Sequence, residues 1–173
     1  MKNVKCEYIG DNLEIKTEKL ISFYDIREIN LKINNNYLAI CRDKKIITFY
    51  DFKKRELKEY FKIEFDKRII DFQLNLNYPK ILLVAKENKA ELYEIPELFN
   101  KTTIKINPKF VYSGHKGLIY AIFNPKFSHI IATLSDDYLH IWNTQMYNTI
   151  KYFSNSVKSL LKWENNGNLI GFC

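Results

Sequence analysis

Few residues in this chain are of types and spacings that could do chemistry. Asp136 and Asp137 stand side by side, and paired carboxylates serve general acid–base hydrolysis. Catalysis needs more than the pair. No Gly-rich phosphate loop, no Gly-x-Ser-x-Gly elbow and no His-Glu-x-x-His accompanies it. A role in the turn and in a structural side-chain network accounts for Asp136 without further assumption. His129 and His140 lie on different segments with no second metal ligand in sequence reach, so surface positions beside strands are the plainer reading. Cys6, Cys41 and Cys173 are widely spaced and odd in number, which gives neither a metal-ligand pair nor a disulfide framework. The chain therefore reads as a non-enzyme, with no catalytic residue, no cofactor and no metal site.

A different use of polar groups fits better. His115, Thr133 (or Ser135), Asp136 and Trp142 follow one another as do the loop histidine, strand hydroxyl, turn aspartate and tryptophan that link by side-chain hydrogen bonds in the WD-type blades this stretch resembles. A connected buried network of this kind fixes one hairpin register. The alternative is four unlinked polar residues on an ordinary hairpin. The elements that must position them can be read around them. Leu118, Tyr120, Ile122 and Phe123 form a short buried inner strand, which Asn124-Pro125 stops because proline cannot donate to a ladder. Ile130 to Thr133 is a second apolar run, Ser135-Asp136-Asp137 a turn, and Leu139 to Trp142 a third strand. From Gly114-His115 to Trp142-Asn143 this is the layout of one WD-type β-propeller repeat. A blade cannot bury its faces alone, so one blade predicts neighbours.

Weaker copies are present. Tyr37 to Cys41 and Ile46 to Tyr50 flank a turn at residues 42–45, and Tyr50-Asp51 stands where Trp-Asp would. Ile69 to Leu74, Ile81 to Ala85 and Tyr93-Glu94 repeat the pattern, with turns at Asn77-Tyr78-Pro79 and Glu87-Asn88-Lys89. The closing aromatics Tyr50, Tyr93 and Trp142 are roughly 43 and 49 residues apart, near the expected period. The second interval leaves room for a loop at Leu98 to Asn107. Phe52 to Phe61 alone could be an amphipathic helix, but its place in the repeat, matched by Thr144 to Phe153, predicts a hairpin and fourth strand. Val157 to Trp163, a turn at Asn165-Asn166-Gly167 and Leu169 to Cys173 begin a further blade. The segment with Cys6 to Ile9 and Leu20 to Tyr24 is expected to supply an outer strand. The expected fold is all-β, a partial propeller of antiparallel four-stranded blades at about 20–64, 65–113, 114–155 and 156–173. Further blades or a completing partner would be needed to close the ring.

Composition narrows the class. Aromatic residues make up 15% of the chain, which argues against disorder. No apolar run reaches membrane-spanning length and the first residues lack a signal-peptide block, so a cytoplasmic protein without membrane insertion is expected. Asn100-Lys101-Thr102 is a formal glycosylation sequon that then reads as a plain loop. The net charge of +7 raises nucleic-acid binding. The excess is mostly lysine, spread along the chain among many asparagines, whereas phosphate-binding surfaces cluster their charge. Even the densest run, Lys53-Lys54-Arg55, is followed by Glu56 and Glu59 and reads as a solvated hairpin tip.

Within the WD-repeat proteins the chain resembles the N-terminal half of a coronin. Three features carry this: Tyr24-Asp25-Ile26-Arg27 before the first blade, Ile95-Pro96-Glu97 after the second blade's closing strand, and Trp163 to Leu169 with its Asn-Gly turn. The resemblance implies a protein-interaction scaffold that binds actin filaments, with Arg27 matching an arginine implicated in that binding. A guanidinium offers a planar donor fork to carboxylates of an acidic partner; pairing with Asp25 or Glu28 is the simpler role for Arg27. Departures are Phe65-Asp66-Lys67-Arg68 where Gly-His should open the second blade, and the missing tryptophan in the first two blades. A WD-repeat subunit of a ribonucleoprotein or other nucleic-acid-associated complex is the alternative reading.

Overall fold

The computed structural model describes residues 5–9, 12–17, 20–25, 30–33, 37–41, 43–51, 58–96, 103–118, 120–154 and 159–172. All regular elements among them are β-strands. The chain divides into two compact units, Met1–Phe65 with Leu98–Lys105, and Asp66–Glu97 with Ile106–Cys173.

In the first unit β1 (Lys5–Ile9), β2 (Asn12–Thr17) and β3 (Leu20–Asp25) form an antiparallel meander. A second meander follows: β4 (Asn30–Ile33), β5 (Tyr37–Cys41), β6 (Ile46–Asp51) and β7 (Lys58–Glu64) pair in sequence order. The β5–β6 turn is built by Asp43, whose carboxylate accepts the N–H groups of Lys45 and Ile46 at 3.0 and 2.7 Å. Phe49 and Phe61 stack at 4.4 Å between ring centres, with Tyr37 edge-on to both. Residues 58–61 are strand, as the repeat position predicts; residues 52–57 lie outside the described residues.

The second unit starts with β8 (Ile69–Leu74) and β9 (Ile81–Glu94). β9 is one extended run that doubles back at Glu87-Asn88. Asn88 has φ of +68°, and Ile95 N–H donates to the Lys80 carbonyl at 2.7 Å. Its first arm pairs with β8, from Leu74↔Leu82 to Ile69↔Lys86. The chain then contributes β10 (Thr103–Ile104) to the first unit, parallel to the outer strand β7. β11 (Phe110–Leu118) returns to the second arm of β9, so this blade has four antiparallel layers of chain. The next blade is β12 (Tyr120–Phe123), β13 (Ile130–Leu134), β14 (Tyr138–Asn143) and β15 (Asn148–Ser154), antiparallel throughout. β16 (Ser159–Trp163) and β17 (Leu169–Phe172) form a last hairpin.

The core of this unit lies between blades. Leu83, Ala85, Ala90, Leu92 and Tyr112 of one blade pack against Ala121, Ile131 and Trp142 of the next. The other face of that second blade, Ala132, Leu134 and Leu139, meets Trp163 of β16. The sequence reading of the inner strand needs correction here. Tyr120, expected inside, is 55% exposed, and the buried position is Ala121. Leu118 ends β11 instead of starting β12. Strand alternation turns Ala121 toward the neighbouring blade, and its small side chain permits the close approach of β12 to β8 and β9.

Candidate functional site

The polar network predicted from sequence centres on Thr133. Its hydroxyl accepts from Trp142 Nε1 at 2.6 Å and lies 2.6 Å from His115 Nε2. His115 Nδ1 lies 2.8 Å from the Ser135 hydroxyl. Both hydroxyls that the sequence left as alternatives are therefore used, one on each ring nitrogen. The donor count assigns a direction. Trp142 N–H donates to Thr133, Thr133 O–H to Nε2, Nδ1–H to Ser135, and Ser135 O–H points to the Tyr138 carbonyl at 3.5 Å. Asp136 is not one of the groups the ring addresses. It is exposed, with one carboxylate oxygen beside Gly117, 3.3 Å from where a Cβ would sit. At φ of +79° Gly117 holds a conformation costly for any other residue.

This network requires a neutral imidazole. Burial, and then the neighbouring His140, push the His115 pKa down to about 4, against an opposing pull from Asp137. The two imidazole rings lie 4.6 Å apart. Burial lowers His140 as well, and its Nδ1 is buried without a hydrogen-bond partner. A neutral, fully engaged imidazole is poorly placed to move protons.

The preceding blade replaces this network with an ionic one at matching positions. An offset of 49 residues carries His115 onto Asp66, Ser135 onto Lys86, His140 onto Glu91 and Trp142 onto Tyr93. Lys86 Nζ sits 2.7 Å from Asp66 and 2.5 Å from Glu91, and donates to the Tyr93 hydroxyl at 3.3 Å. Tyr93 O–H donates to Glu91, whose other oxygen lies 2.5 Å from Lys89. Lys86 and Glu91 are 1% and 3% exposed, so neither charge could remain there unpaired. Burial pushes the Glu91 carboxyl up, but the bonds from Lys86, Lys89 and Tyr93 hold it below its ordinary range. The hydrogen bond from Lys86 likewise lowers Asp66.

Two asparagines staple successive blades. Asn75 accepts the N–H groups of Asn77 and Tyr78, both at 3.0 Å, and its Nδ2 donates to Ser128 O on the next blade at 2.9 Å. Asn124, 49 residues on, accepts from Lys126 and Phe127 at 2.9 and 2.8 Å and donates to Gly167 O at 2.9 Å. Gly167, at φ of +90°, is approached so closely by Asn124, Lys126 and Phe127 that a Cβ would lie 3.3 Å from each. The stop assigned to Pro125 is thus made largely by Asn124. The signal was the same residue type directly after β8 and β12.

The remaining candidates are dispersed. His129 lies at the turn before β13, and its carbonyl accepts from Thr144. Burial pushes the Cys41 thiol up to about 11, leaving it unreactive. Arg27, the Lys53-Lys54-Arg55 run, Asn100-Lys101-Thr102 and Cys173 lie outside the described residues. Among the described residues no group of His, Cys, Asp and Glu could hold a metal ion, and no helix is long and apolar enough to cross a membrane.

No protein-family profile and no curated protein sequence matches the chain. Solved structures do. The WD40 domain of Toxoplasma gondii coronin superposes with a TM-score of 0.69 at 22% identity, over 97% of this chain and 45% of that one. The fold is a partial WD40 β-propeller. A chain of the mitotic checkpoint complex matches with a TM-score of 0.61 at 16% identity, over 87% of this chain and 52% of that one. The chain thus spans about half the length of the two chains it matches. In WD40 terms the repeat ending at Trp142 keeps its histidine, hydroxyls and tryptophan. The repeat ending at Tyr93 holds the same register with a lysine, two carboxylates and a phenol.

Proposed function

We propose that this chain is a non-catalytic protein-interaction platform, and that its partner is filamentous actin, engaged through Arg27. The observation that carries the platform reading is the use of the polar interior. His115, Thr133, Ser135, Lys86 and Glu91 are consumed in fixing blades, which leaves loops and blade surfaces for partners. The actin reading is supported by the Tyr24-Asp25-Ile26-Arg27 stretch and by the likeness to a coronin WD40 domain. A cytoplasmic setting fits the scattered cysteines. The test is co-sedimentation with actin filaments, expected for the wild-type chain and weakened by Arg27→Glu. Salt-sensitive RNA binding that Arg27→Glu leaves unchanged, without co-sedimentation, would replace actin with the nucleic-acid reading.

A further inference from the structure

We propose that the outer strand β15 is a second docking edge, which takes an extended, acid-bearing peptide strand from a protein partner by parallel β-addition at Tyr152-Phe153. The chain itself shows the mode. The outer strand β7 of an equivalent blade already carries an added parallel strand, β10, with Thr103 opposite Lys62 and Ile104 opposite Ile63. β7 and β15 are matched residue for residue. Each has its register shift immediately before the closing aromatic, between Phe49 and Tyr50 and between Ile141 and Trp142. Thr48↔Lys62 therefore corresponds to His140↔Tyr152, and Ile47↔Ile63 to Leu139↔Phe153.

Among the described residues nothing pairs with the outer side of β15. That edge offers unpaired backbone groups, which natural sheets usually cover or blunt. It is also apolar: Ile150 and Tyr152 are 54% and 67% exposed. Phe153 is a weaker witness, because Ile63 and Tyr112, at the equivalent positions of the other two blades, are both fully buried. Backbone pairing supplies affinity in strand addition, and alternate side chains supply selectivity.

Charge chooses the occupant. Lys151, 4.8 Å from the Phe153 ring, is the sole charged residue of β15, and no described acidic group pairs with it. An acidic residue one position before the pair facing Tyr152-Phe153 would meet it. A second copy of the same strand would bring another lysine instead. The edge shares no residue with the Arg27 reading and does not depend on it.

The experiment uses the whole chain and two labelled peptides followed by fluorescence anisotropy. One peptide has the sequence of residues 101–108; the other carries Thr102→Glu, opposite Lys151. Saturable binding of both is expected, the acidic one at least about threefold tighter, because an exposed ion pair adds a fraction of a kcal/mol. Tyr152→Pro should abolish it, since proline removes a backbone donor. If that variant is misfolded, N-methylation of the peptide at Ile104 should still weaken binding to the wild-type chain by about tenfold. Failure of both peptides to bind a folded chain would overturn the proposal. So would binding insensitive to both Tyr152→Lys and N-methylation, or concentration-dependent dimerisation that Tyr152→Lys abolishes.

Discussion

Thr133 is the residue that joins the histidine to the tryptophan. Its hydroxyl serves Trp142 and His115 at once, and Thr133→Val preserves shape while leaving two buried nitrogens without a partner. The expected cost is about 2–4 kcal/mol in urea unfolding, one to two unmade buried hydrogen bonds; a loss under about 0.5 would show that the hydroxyl is dispensable. His115 predicts a pH dependence. The unfolded chain takes up the histidine proton near 6.5, the folded chain only near 4. Between these values the unfolded state binds more protons, so stability rises with pH. The neutral-imidazole contribution is complete above about pH 6.5 and is lost as pH falls toward 4. Acidification from pH 7 to 4.5 should cost about 2–3 kcal/mol, with His140 adding in the same direction. His115→Asn should flatten most of that slope, while the carboxylates Glu91 and Asp66, both lowered, act at still lower pH. A wild-type curve level from pH 7 to 4.5 would contradict the assignment.

At the scale of elements, turns and blade-to-blade staples rely on side-chain amides. Asn124 closes its own turn and bonds the next hairpin, so Asn124→Ala should cost about 1–3 kcal/mol, a turn cap plus a buried donor bond. The same substitution at Asn166, which accepts one exposed local bond from Asn168 N–H, should cost under about 0.5. Thermal or urea unfolding of the two variants separates them, and equal losses would mean that the inter-blade bond adds nothing. The strands themselves were legible because alternation and apolar runs report burial directly, as in Ile130 to Thr133 or Ile69 to Leu74. The asparagines were not. Their abundance reads as compositional bias, and only the fold shows Asn75 and Asn124 reaching across to neighbouring blades. Tyr120 was misplaced for a related reason. An aromatic in a short strand looks like core, but alternation fixed by Ala121 against the next blade overrides that preference. Of the Asp66–Lys86–Glu91–Tyr93 set, only Asp66 and Tyr93 were visible, as departures from the expected residues. Charge pairs carry no periodic signature, and a strict 49-residue overlay was needed to see them as replacements.

At the largest scale, blades of the second unit stabilise one another by packing face to face, so its two four-stranded blades should open together. Trp142 is the most informative probe, since it joins the hydroxyl network to the inter-blade core beside Tyr112, 5.1 Å away. Trp142→Ala should destabilise the chain by about 3–5 kcal/mol. Stacked repeats share an interface term, so that loss should not stay in the blade that carries the substitution. Hydrogen exchange of backbone amides measures this strand by strand. In the Trp142→Ala chain, amides of β8 and β9 should lose protection by nearly the same free energy as those of β13 and β14. Faster exchange confined to β12–β15, with β8 and β9 protected as in the wild type, would contradict it.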